Sequence, residues 1–93
     1  MNKKELVAQI ALDASLTRAQ AARALDALLK EIEGTLVRGG RVTISGFGTF
    51  GVLHRKARRV RNPRSGSAME VAAKRVPRFA PGTDLKSMVG RVK

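Results

Sequence analysis

The sequence lacks cysteine, tryptophan and tyrosine, and it contains a single histidine, His54. Without thiols the chain forms neither disulfides nor thiolate metal sites, as is usual for proteins of the reducing cell interior. One histidine with no cysteine or second histidine provides no recognisable metal site. The only aromatic residues are phenylalanines, so the stacking platforms used by single-strand binders are poorly supplied. The sequence therefore predicts no metal and no other cofactor.

Signals for catalysis and for membrane insertion are weak as well. The hydroxyl-bearing side chains of the central segment have no obvious base partner, so nucleophilic catalysis is not expected. The glycine-rich stretch GFGTFG (46–51) lacks the Lys-Ser/Thr ending of a phosphate-binding loop. Charged and polar residues interrupt the apolar positions of residues 1–17, so neither a signal peptide nor a membrane span is predicted. We therefore expect a non-enzymatic, cytoplasmic protein.

Positive charge dominates the composition, because 19 lysines and arginines outnumber seven aspartates and glutamates and give a formal net charge of +12. The excess is uneven: residues 1–46 carry seven basic and five acidic side chains, whereas residues 47–93 carry twelve and two. Such self-repulsion contributes nothing to folding and is typical of a surface that meets a polyanion. A generic solubilising surface would mix both signs. We therefore favour nucleic acid over a membrane surface or an acidic protein as the partner.

The N-terminal part of the chain has the apolar spacing of two helices. The first stripe occupies about residues 3–14. Thr17 followed by Gln20 is a capping-box pattern, which predicts the start of a second helix. The glycine pair at 39–40 predicts its end, because glycine readily adopts the left-handed conformation of a helix cap. The apolar stripe of the second helix comprises Leu25, Leu28, Leu29, Ile32 and Leu36.

After the glycine pair the periodicity changes to the alternation of strands. The stretches RVTIS (41–45) and TFGVLHRKARRVR (49–61) predict two strands joined by the tight connection GFG. After a turn at NPRSG (62–66), the stretch SAMEVAAKRVPRF (67–79) predicts a third strand. Pro77 within it marks an edge strand or a bulge, because proline cannot donate to a central ladder.

A short last helix is expected after the third strand. Thr83 is a candidate N-cap for this helix, and its apolar stripe comprises Leu85, Met88, Val89 and Val92. The order helix, helix, three strands, helix predicts a single α+β domain spanning residues 1–93. Its parts are a helical dimerisation part (1–40), an antiparallel sheet (41–82) with a protruding β-arm (about 54–76), and a C-terminal helix (83–93).

The arm is strongly basic: between His54 and Arg78 the sequence carries nine basic residues and one acid, Glu70. We expect positive charge on both sides of the arm and no apolar face. A disordered basic tail is the alternative, but the segment is internal and closed by a turn, which favours an arm that becomes ordered on phosphates. In an extended ribbon the side chains alternate between the faces, with Arg55, Arg59 and Arg61 on one and Lys56 and Arg58 on the other.

Pro63 at the tip of the arm has two interpretations. As a turn residue it presets the backbone, with Asn62 suited to the position before it and Gly66 able to adopt a positive φ beyond it. As a functional residue, its rigid apolar ring at the end of a cationic ribbon could wedge between base pairs and kink a duplex. The two interpretations are compatible, since the turn would present the wedge.

The core predicted for one chain is small. The arm is too polar to belong to it, which leaves roughly 70 residues to build a core that is marginal at this size. We therefore expect a homodimer in which the helical and aromatic faces of two chains complete one core. The residues assigned to this dimer core are Leu29, Ile32, Leu36, Ile44, Phe47, Phe50 and Phe79.

Three motifs follow the helical part at characteristic separations: GFGTF (46–50), RNPRSG (61–66) and PRFAPG (77–82). In this combination, over essentially its whole length, the chain resembles the bacterial histone-like HU and integration host factor family. The resemblance implies an intertwined dimer with a helical base and two β-arms that wrap double-stranded DNA and bend it through the minor groove.

The resemblance also implies which residues contact DNA. Pro63 corresponds to the intercalating tip, and Phe47, Phe50 and Phe79 correspond to the core aromatics of the family. Charges particular to this chain add Arg59, Arg64 and Arg78 to the predicted DNA-binding residues. The positions carried over from the family are Arg55, Arg58, Arg61, Asn62 and Pro63 on the arm, and Lys74, Arg75 and Lys86 as further backbone contacts.

The expected function is architectural, largely sequence-nonspecific binding and bending of double-stranded DNA, with compaction of the nucleoid. Bent, nicked or distorted duplex is the expected preference. The dense arginine arm favours an HU-like protein over a site-selective subunit resembling integration host factor, for which a heterodimer with a paralogue would be expected. A basic RNA-binding module remains the alternative from another class.

Overall fold

A computed structural model describes residues 1–91, so Val92 of the predicted last stripe and the end of the predicted segment 83–93 lie outside the described residues. Within this range no helix is both long and apolar enough to cross a membrane.

The chain divides into two compact units, the helical unit (Met1–Thr35) and the sheet unit (from Leu36 onward). The elements are helices α1 (Lys3–Asp13), α2 (Arg18–Val37) and α3 (Thr83–Gly90), and strands β1 (Val42–Ile44), β2 (Gly48–Arg55), β3 (Arg58–Arg61), β4 (Ala68–Val71) and β5 (Lys74–Pro81).

Both helices of the helical unit begin at side-chain caps. The Asn2 side chain accepts a hydrogen bond from the Glu5 amide at the start of α1 (2.8 Å). At the start of α2 the Thr17 hydroxyl accepts from the Gln20 amide (3.1 Å), and the Gln20 side chain accepts from the Thr17 amide (2.9 Å). This reciprocal pair confirms the predicted capping box, which satisfies two amides that the helix itself leaves without partners.

The buried apolar side chains among the described residues all belong to the helical unit. They number four, and two of them are alanines, so a single chain builds only a thin core there. An ion pair between Lys3 and Asp26 (2.8 Å) joins α1 to α2 at the surface. The hydrogen bond from Lys3 to this carboxylate, reinforced by its charge, raises the pKa of the Lys3 amine. The buried residues are Ala11, Ala21, Leu25 and Ile32.

Helix α2 ends as the glycine pair predicts. Gly39 has a φ of +83°, and its amide donates to the carbonyl of Leu36 (2.9 Å). Only glycine adopts this left-handed conformation without strain from a Cβ atom. The chain then continues into β1.

The main sheet of the sheet unit is antiparallel, with strand order β1-β2-β5. The register pairs Val42 with Phe50 and Phe50 with Phe79, so these side chains share one face. Phe79 lies 4.8 Å from Phe50 and 5.3 Å from Phe47 between ring centroids, in tilted contacts. Pro77 lies in β5, an outer strand of this sheet, which confirms the edge prediction.

The arm differs from the continuous ribbon that the sequence predicts. It is a separate two-stranded antiparallel sheet, β3-β4, and the long strands are interrupted at residues 56–57 and 72–73. The interruptions contain three alanines and a lysine, residues that are depleted in strands. Three predicted strands therefore become five, with a joint between the main sheet and the arm.

The predicted cap of the last helix is wrong. Thr83 is the first residue of α3 itself, and the N-cap is Gly82, which makes no side-chain capping hydrogen bond. Gly82 is held instead by its backbone, because its amide donates to the Phe47 carbonyl (2.8 Å). The start of α3 therefore depends on the turn between β1 and β2, which is distant in sequence, and not on a local hydroxyl.

Candidate nucleic-acid interface

The tip of the arm is a tight loop organised by Asn62. Its side-chain oxygen accepts from the Arg64 amide (2.9 Å), which is an Asx turn around Pro63. Its carbonyl accepts from the Gly66 amide (2.8 Å) and its amide donates to the Ser67 carbonyl (2.8 Å). Gly66 has a φ of +72°, as predicted for the residue beyond the proline. The loop therefore holds Pro63 and Arg64 exposed at the apex of the arm.

The two faces of the arm are chemically different. The register pairs Arg59 with Glu70 and Arg61 with Ala68, so one face is polar. The prediction that Arg59 and Arg61 share a face is confirmed, although the interruption of the ribbon separates them from Arg55. The other face carries Arg58 together with Val60, Met69 and Val71, which pair with one another across the strands. The expectation of an arm without an apolar face is therefore wrong.

Glu70 is the one acid of the arm, and it lies directly opposite Arg59. The Arg59 Nε and Glu70 Oε1 atoms are 3.7 Å apart, and both side chains remain largely exposed. An exposed pair of this kind contributes about 0–1 kcal/mol and is screened by salt. Within residues 1–91 it is the only ion pair formed by an arm cation, so most of the positive charge of the arm is not neutralised by the protein.

A second cationic surface lies on the face of the main sheet opposite the phenylalanines. Alternation along β2 and β5 places Arg55, Lys74 and Arg78 on this face, which we call the cationic sheet face. Arg41, just before β1, belongs to it as well. Arg41 and Arg78 line an open hollow of about 410 Å³ whose floor includes Gly51.

Arg41 is not among the DNA-binding residues predicted from the sequence. The sequence signal for Arg41 is the alternation of the stretch 41–45, which places Arg41 on the same side of the strand as Thr43. Thr43 pairs with Thr49 on the cationic sheet face. The two threonine hydroxyls are 3.2 Å apart, so they add hydrogen-bonding groups beside the cations. Gly51 has no side chain to cover the sheet at this point, so a ligand can approach its backbone closely. A Cβ atom added at Gly51 would lie 3.9 Å from the Cβ atom of Arg41.

The joint between the main sheet and the arm is also lined by cations. A hollow of about 500 Å³ lies beside the interrupted strands. Its cationic lining residues are Arg55, Lys56, Arg58 and Lys74. Arg55 and Lys74 of the cationic sheet face and Arg58 of the arm thus line the same hollow, which places cations of both parts on a surface suited to successive phosphates.

The remaining predicted contacts lie elsewhere. Lys86 is exposed on α3, outside the strands that carry the other predicted cations. Arg75 shares the face of the phenylalanines, because it pairs with His54 and lies four residues before Phe79 on the same strand. Its guanidinium donates from Nη2 to two backbone carbonyls, those of Leu36 (2.9 Å) and Val37 (2.8 Å). Arg75 is thus a predicted DNA contact whose side chain is engaged by the protein itself.

The predicted dimer-core residues divide between buried and exposed positions. Ile32 is buried, whereas Phe47 is 43% exposed and Phe79 is 38% exposed in the single chain. Leu29 is 39% exposed. Leu36, Ile44 and Phe50 are half-buried.

No metal centre accompanies these surfaces in the part of the chain that the structure describes. Residues 1–91 contain no cluster of three or more histidine, cysteine or carboxylate side chains placed to hold an ion. The chemistry that the surfaces offer is charge neutralisation, hydrogen bonding and apolar contact.

The sequence is similar to known bacterial DNA-binding proteins over nearly its whole length. A family model described as "Bacterial DNA-binding protein" matches residues 1–90. DNA-binding protein HU-beta of Pseudomonas fluorescens is 47% identical over 89 residues, which cover 96% of this chain and 99% of that protein. DNA-binding protein HU-alpha of Vibrio cholerae is also 47% identical, with the same coverage.

Solved structures agree with the sequence comparison. The Anabaena HU–DNA cocrystal structure superposes with a TM-score of 0.87 at 43% identity and covers 98% of this chain and 99% of that one. HU from Thermotoga maritima superposes with a TM-score of 0.70 at 32% identity, covering 96% and 98%. The similarity extends over helices, sheet and arm together.

Proposed function

The chain belongs to the HU family of bacterial DNA-binding proteins, and from this premise we propose that it binds double-stranded DNA through the minor groove, bends it and compacts the nucleoid. The role is architectural and involves no catalysis. Binding is largely independent of sequence, because phosphate contacts carry affinity without reading bases. In the cell the protein acts in the cytoplasm, on the chromosome.

The observation that carries this proposal is the placement of cations on the cationic sheet face, at the joint and on the arm. The Anabaena relative supports the assignment of its ligand, since that protein, at 43% identity, has been crystallised with DNA. Arm cations neutralise phosphates along the minor groove, and the cationic sheet face supports the duplex at the base of the arm. The proposed DNA contacts are Arg55, Arg58, Arg59, Arg61, Asn62, Pro63, Arg64, Lys74, Arg78 and Lys86, to which we add Arg41 because it lies beside Arg78.

Pro63 is the proposed intercalating residue. The Asx turn of Asn62 and the left-handed Gly66 hold the loop so that the proline ring is exposed at its apex. An apolar ring inserted between base pairs costs a few kcal/mol of stacking, which is offset by the phosphate contacts that a bent duplex brings to the protein. DNA that is already bent, nicked or distorted has lost part of that stacking, so it should bind more tightly.

A homodimer is the proposed assembly. Phe47 and Phe79 form an aromatic cluster that one chain leaves more than a third exposed. Leu28 and Leu29 on α2 are also exposed, at 48% and 39%. Apolar surface of this kind, beside a thin core, is stabilised when a second chain covers it. Two chains also supply two arms, which is the geometry needed to hold both sides of a kink.

Binding measured against salt tests the electrostatic part of the proposal. If about six phosphates are contacted, affinity for a random duplex should fall roughly 10³-fold or more between about 50 and 200 mM salt. A flat response would contradict binding by phosphate neutralisation. Competition with structured RNA belongs in the same experiment, because a clear preference for RNA would support an RNA-binding module instead.

Bending is tested by energy transfer between fluorophores at the two ends of random, nicked and selected duplexes at fixed salt. Higher transfer with the protein, greatest on nicked DNA, is the expected result. Pro63→Ala should lower the transfer while leaving the fold of the free protein intact. Unchanged transfer would assign Pro63 to the turn alone, and a large preference for one selected sequence would indicate a site-selective protein.

A further inference from the structure

We infer that Arg75 is a positioning residue that anchors the root of the arm to the end of α2, and that it is not a phosphate ligand. This inference rests on the proposed DNA-bending function and specifies how this chain orients its arm. It replaces the DNA contact that family resemblance implies for this position. Three independent features of the sheet unit support it.

The first feature is the hydrogen bonding of the guanidinium. One nitrogen, Nη2, donates to the carbonyls of both Leu36 and Val37, at 2.9 and 2.8 Å. Those carbonyls belong to the last turn of α2. The Leu36 carbonyl also accepts from the Gly39 amide, whereas no helical amide follows Val37, the last residue of α2. Arginine is suited to this role because its guanidinium presents several donors in a rigid, planar arrangement.

The second feature concerns the charge at the C-terminal end of α2. The last turn of α2 contains no basic residue, although cations are favourable beside the negative end of a helix dipole. Arg75 supplies this charge from a strand 38 residues further along the chain. The helix end and the strand are thereby joined by a charge-assisted contact.

The third feature is the direction of the side chain. Along β5, Arg75 alternates with Lys74, Val76 and Arg78, which lie on the cationic sheet face. Arg75 therefore lies on the opposite face of the sheet, with Phe79. A duplex that rests on the cationic sheet face meets Lys74 and Arg78, and Arg75 is directed away from it.

The position of Arg75 along the strand gives the contact its consequence. The β2–β5 ladder ends with the pairs His54–Arg75 and Arg55–Lys74, and pairing resumes in the arm only at Arg58–Val71. Arg75 thus fixes the penultimate rung before the joint. Holding that rung to α2 restricts the direction in which the arm leaves the main sheet, so Arg75 acts on DNA bending through the arm.

Arg75→Gln and Arg75→Lys, compared with Lys74→Gln, test the inference in the full chain. Affinity for a random duplex of about 30 base pairs is measured across salt, and bending by end-to-end energy transfer at saturating protein. Arg75→Gln should leave the slope of log affinity against log salt unchanged and lower the saturated energy transfer. Arg75→Lys, which keeps a charged donor, should restore part of the transfer. Lys74→Gln should make the slope shallower by about 0.9 for each phosphate that its ammonium group neutralises in the wild type.

A change in slope for Arg75→Gln equal to that of Lys74→Gln would overturn the inference in favour of a phosphate ligand. Unchanged slope and unchanged saturated transfer would reduce Arg75 to a purely structural residue and overturn it equally. Amide exchange in the free protein gives a readout without DNA: Arg75→Gln should accelerate exchange at residues 54–55 and 74–75. If wild-type protein fails to bend DNA while this exchange effect is present, the proposed function fails and the anchoring contact stands. Should Arg75→Gln not fold, Arg75→Lys is compared with the wild type instead. It should keep the wild-type salt slope and show a partly lowered saturated energy transfer.

Discussion

The helical unit and the sheet unit differ in their charge and in their buried apolar side chains. The helical unit, residues 1–35, carries five basic and five acidic side chains, whereas residues 36–93 carry fourteen and two. The buried apolar side chains of the described residues all lie in the helical unit. Charge that would destabilise a compact core is thus concentrated where the chain has little core to disrupt.

This difference indicates that stability and DNA affinity can be altered separately. Substitutions of buried residues or caps in the helical unit should change the free energy of unfolding with little effect on the salt dependence of binding. Substitutions of exposed cations in the sheet unit should do the reverse. The following experiments test that separation, beginning with the largest expected effect.

Removing two arm cations should have the largest effect and should affect binding alone. In Arg58→Gln with Arg61→Gln, the salt slope should become shallower by about 0.9 for each phosphate that the two guanidinium groups neutralise, and affinity at low salt should fall on the order of 10²-fold or more. Both side chains are exposed, so the thermal midpoint should not decrease. Lys30→Gln, an exposed cation of the helical unit, is the matched control and should leave the slope unchanged. Equal salt slopes for the double variant and for Lys30→Gln would contradict the proposal that the phosphate contacts lie in the sheet unit.

Ile32→Ala should have the opposite signature. Ile32 is buried in the helical unit, and truncating such a side chain destabilises by about 2–5 kcal/mol. Urea denaturation monitored by circular dichroism measures the destabilisation, and Glu31→Ala, at an exposed neighbouring position, should change stability by less than about 0.5 kcal/mol. Binding of the folded protein should retain the wild-type salt slope. A shallower slope would show that the helical unit contributes phosphate contacts.

Two glycines of β2 offer a comparison inside the sheet unit. A Cβ at Gly48 would lie 2.7 Å from the Ala80 carbonyl oxygen and from the Phe79 ring, so Gly48→Ala should destabilise by about 1–3 kcal/mol. At Gly51 the nearest atom would be an ordinary contact at 3.9 Å. Gly51→Ala should therefore preserve stability and, by filling the floor of the hollow between Arg41 and Arg78, weaken DNA binding modestly. Chemical denaturation and DNA binding are measured on both variants. Destabilisation by Gly51→Ala together with unchanged stability of Gly48→Ala would contradict this account.

The helix caps provide a smaller, more local comparison. Thr17→Ala removes a hydroxyl that accepts from the Gln20 amide, and the expected destabilisation is about 0.5–2 kcal/mol. Thr83→Ala removes a side chain that is not the N-cap of its helix, and the expected change is within about 0.5 kcal/mol. Thermal unfolding of the two variants checks both values. A larger effect at Thr83 would require a role for this hydroxyl outside capping.

The smallest expected effect concerns pH. Asp26 raises the pKa of Lys3 above its ordinary value of 10.5. A raised pKa in the folded protein stabilises it fully below that ordinary value, and the contribution disappears as pH rises through the raised pKa. Lys3→Met should not show this alkaline destabilisation, which a comparison of thermal midpoints at neutral and alkaline pH measures. The same destabilisation in Lys3→Met and wild type would assign it to other groups.

Local features of the fold were predictable because the groups that determine them are close in sequence. Thr17 and Gln20 are three residues apart, and their reciprocal hydrogen bonds form where the helix begins. Gly39 and Gly66 both adopt positive φ, which glycine does without the strain that a Cβ atom would cause. The edge position of Pro77 follows similarly from its missing amide hydrogen.

The predictions that were wrong concern contacts between residues that are distant in sequence. Thr83 has the chemistry of a cap, but the Phe47 carbonyl holds Gly82 and moves the start of α3 by one residue. The apolar face of the arm arises because Val60 pairs with Met69 and Arg58 with Val71. Alternation within one strand predicts the faces of that strand alone, and the composition of the two-stranded face depends on the register.

The sequence by itself determined the class of ligand, the basic arm and the turn that presents Pro63, because net charge, local turn chemistry and motif spacing are properties of neighbouring residues. Only the tertiary structure decided which cations lie together. It added Arg41 to the surface of Arg78 and directed Arg75 to the carbonyls of Leu36 and Val37. The physical reason is that a side chain's partners depend on strand register and on the sheet face from which it projects, and both are set by pairing between distant segments.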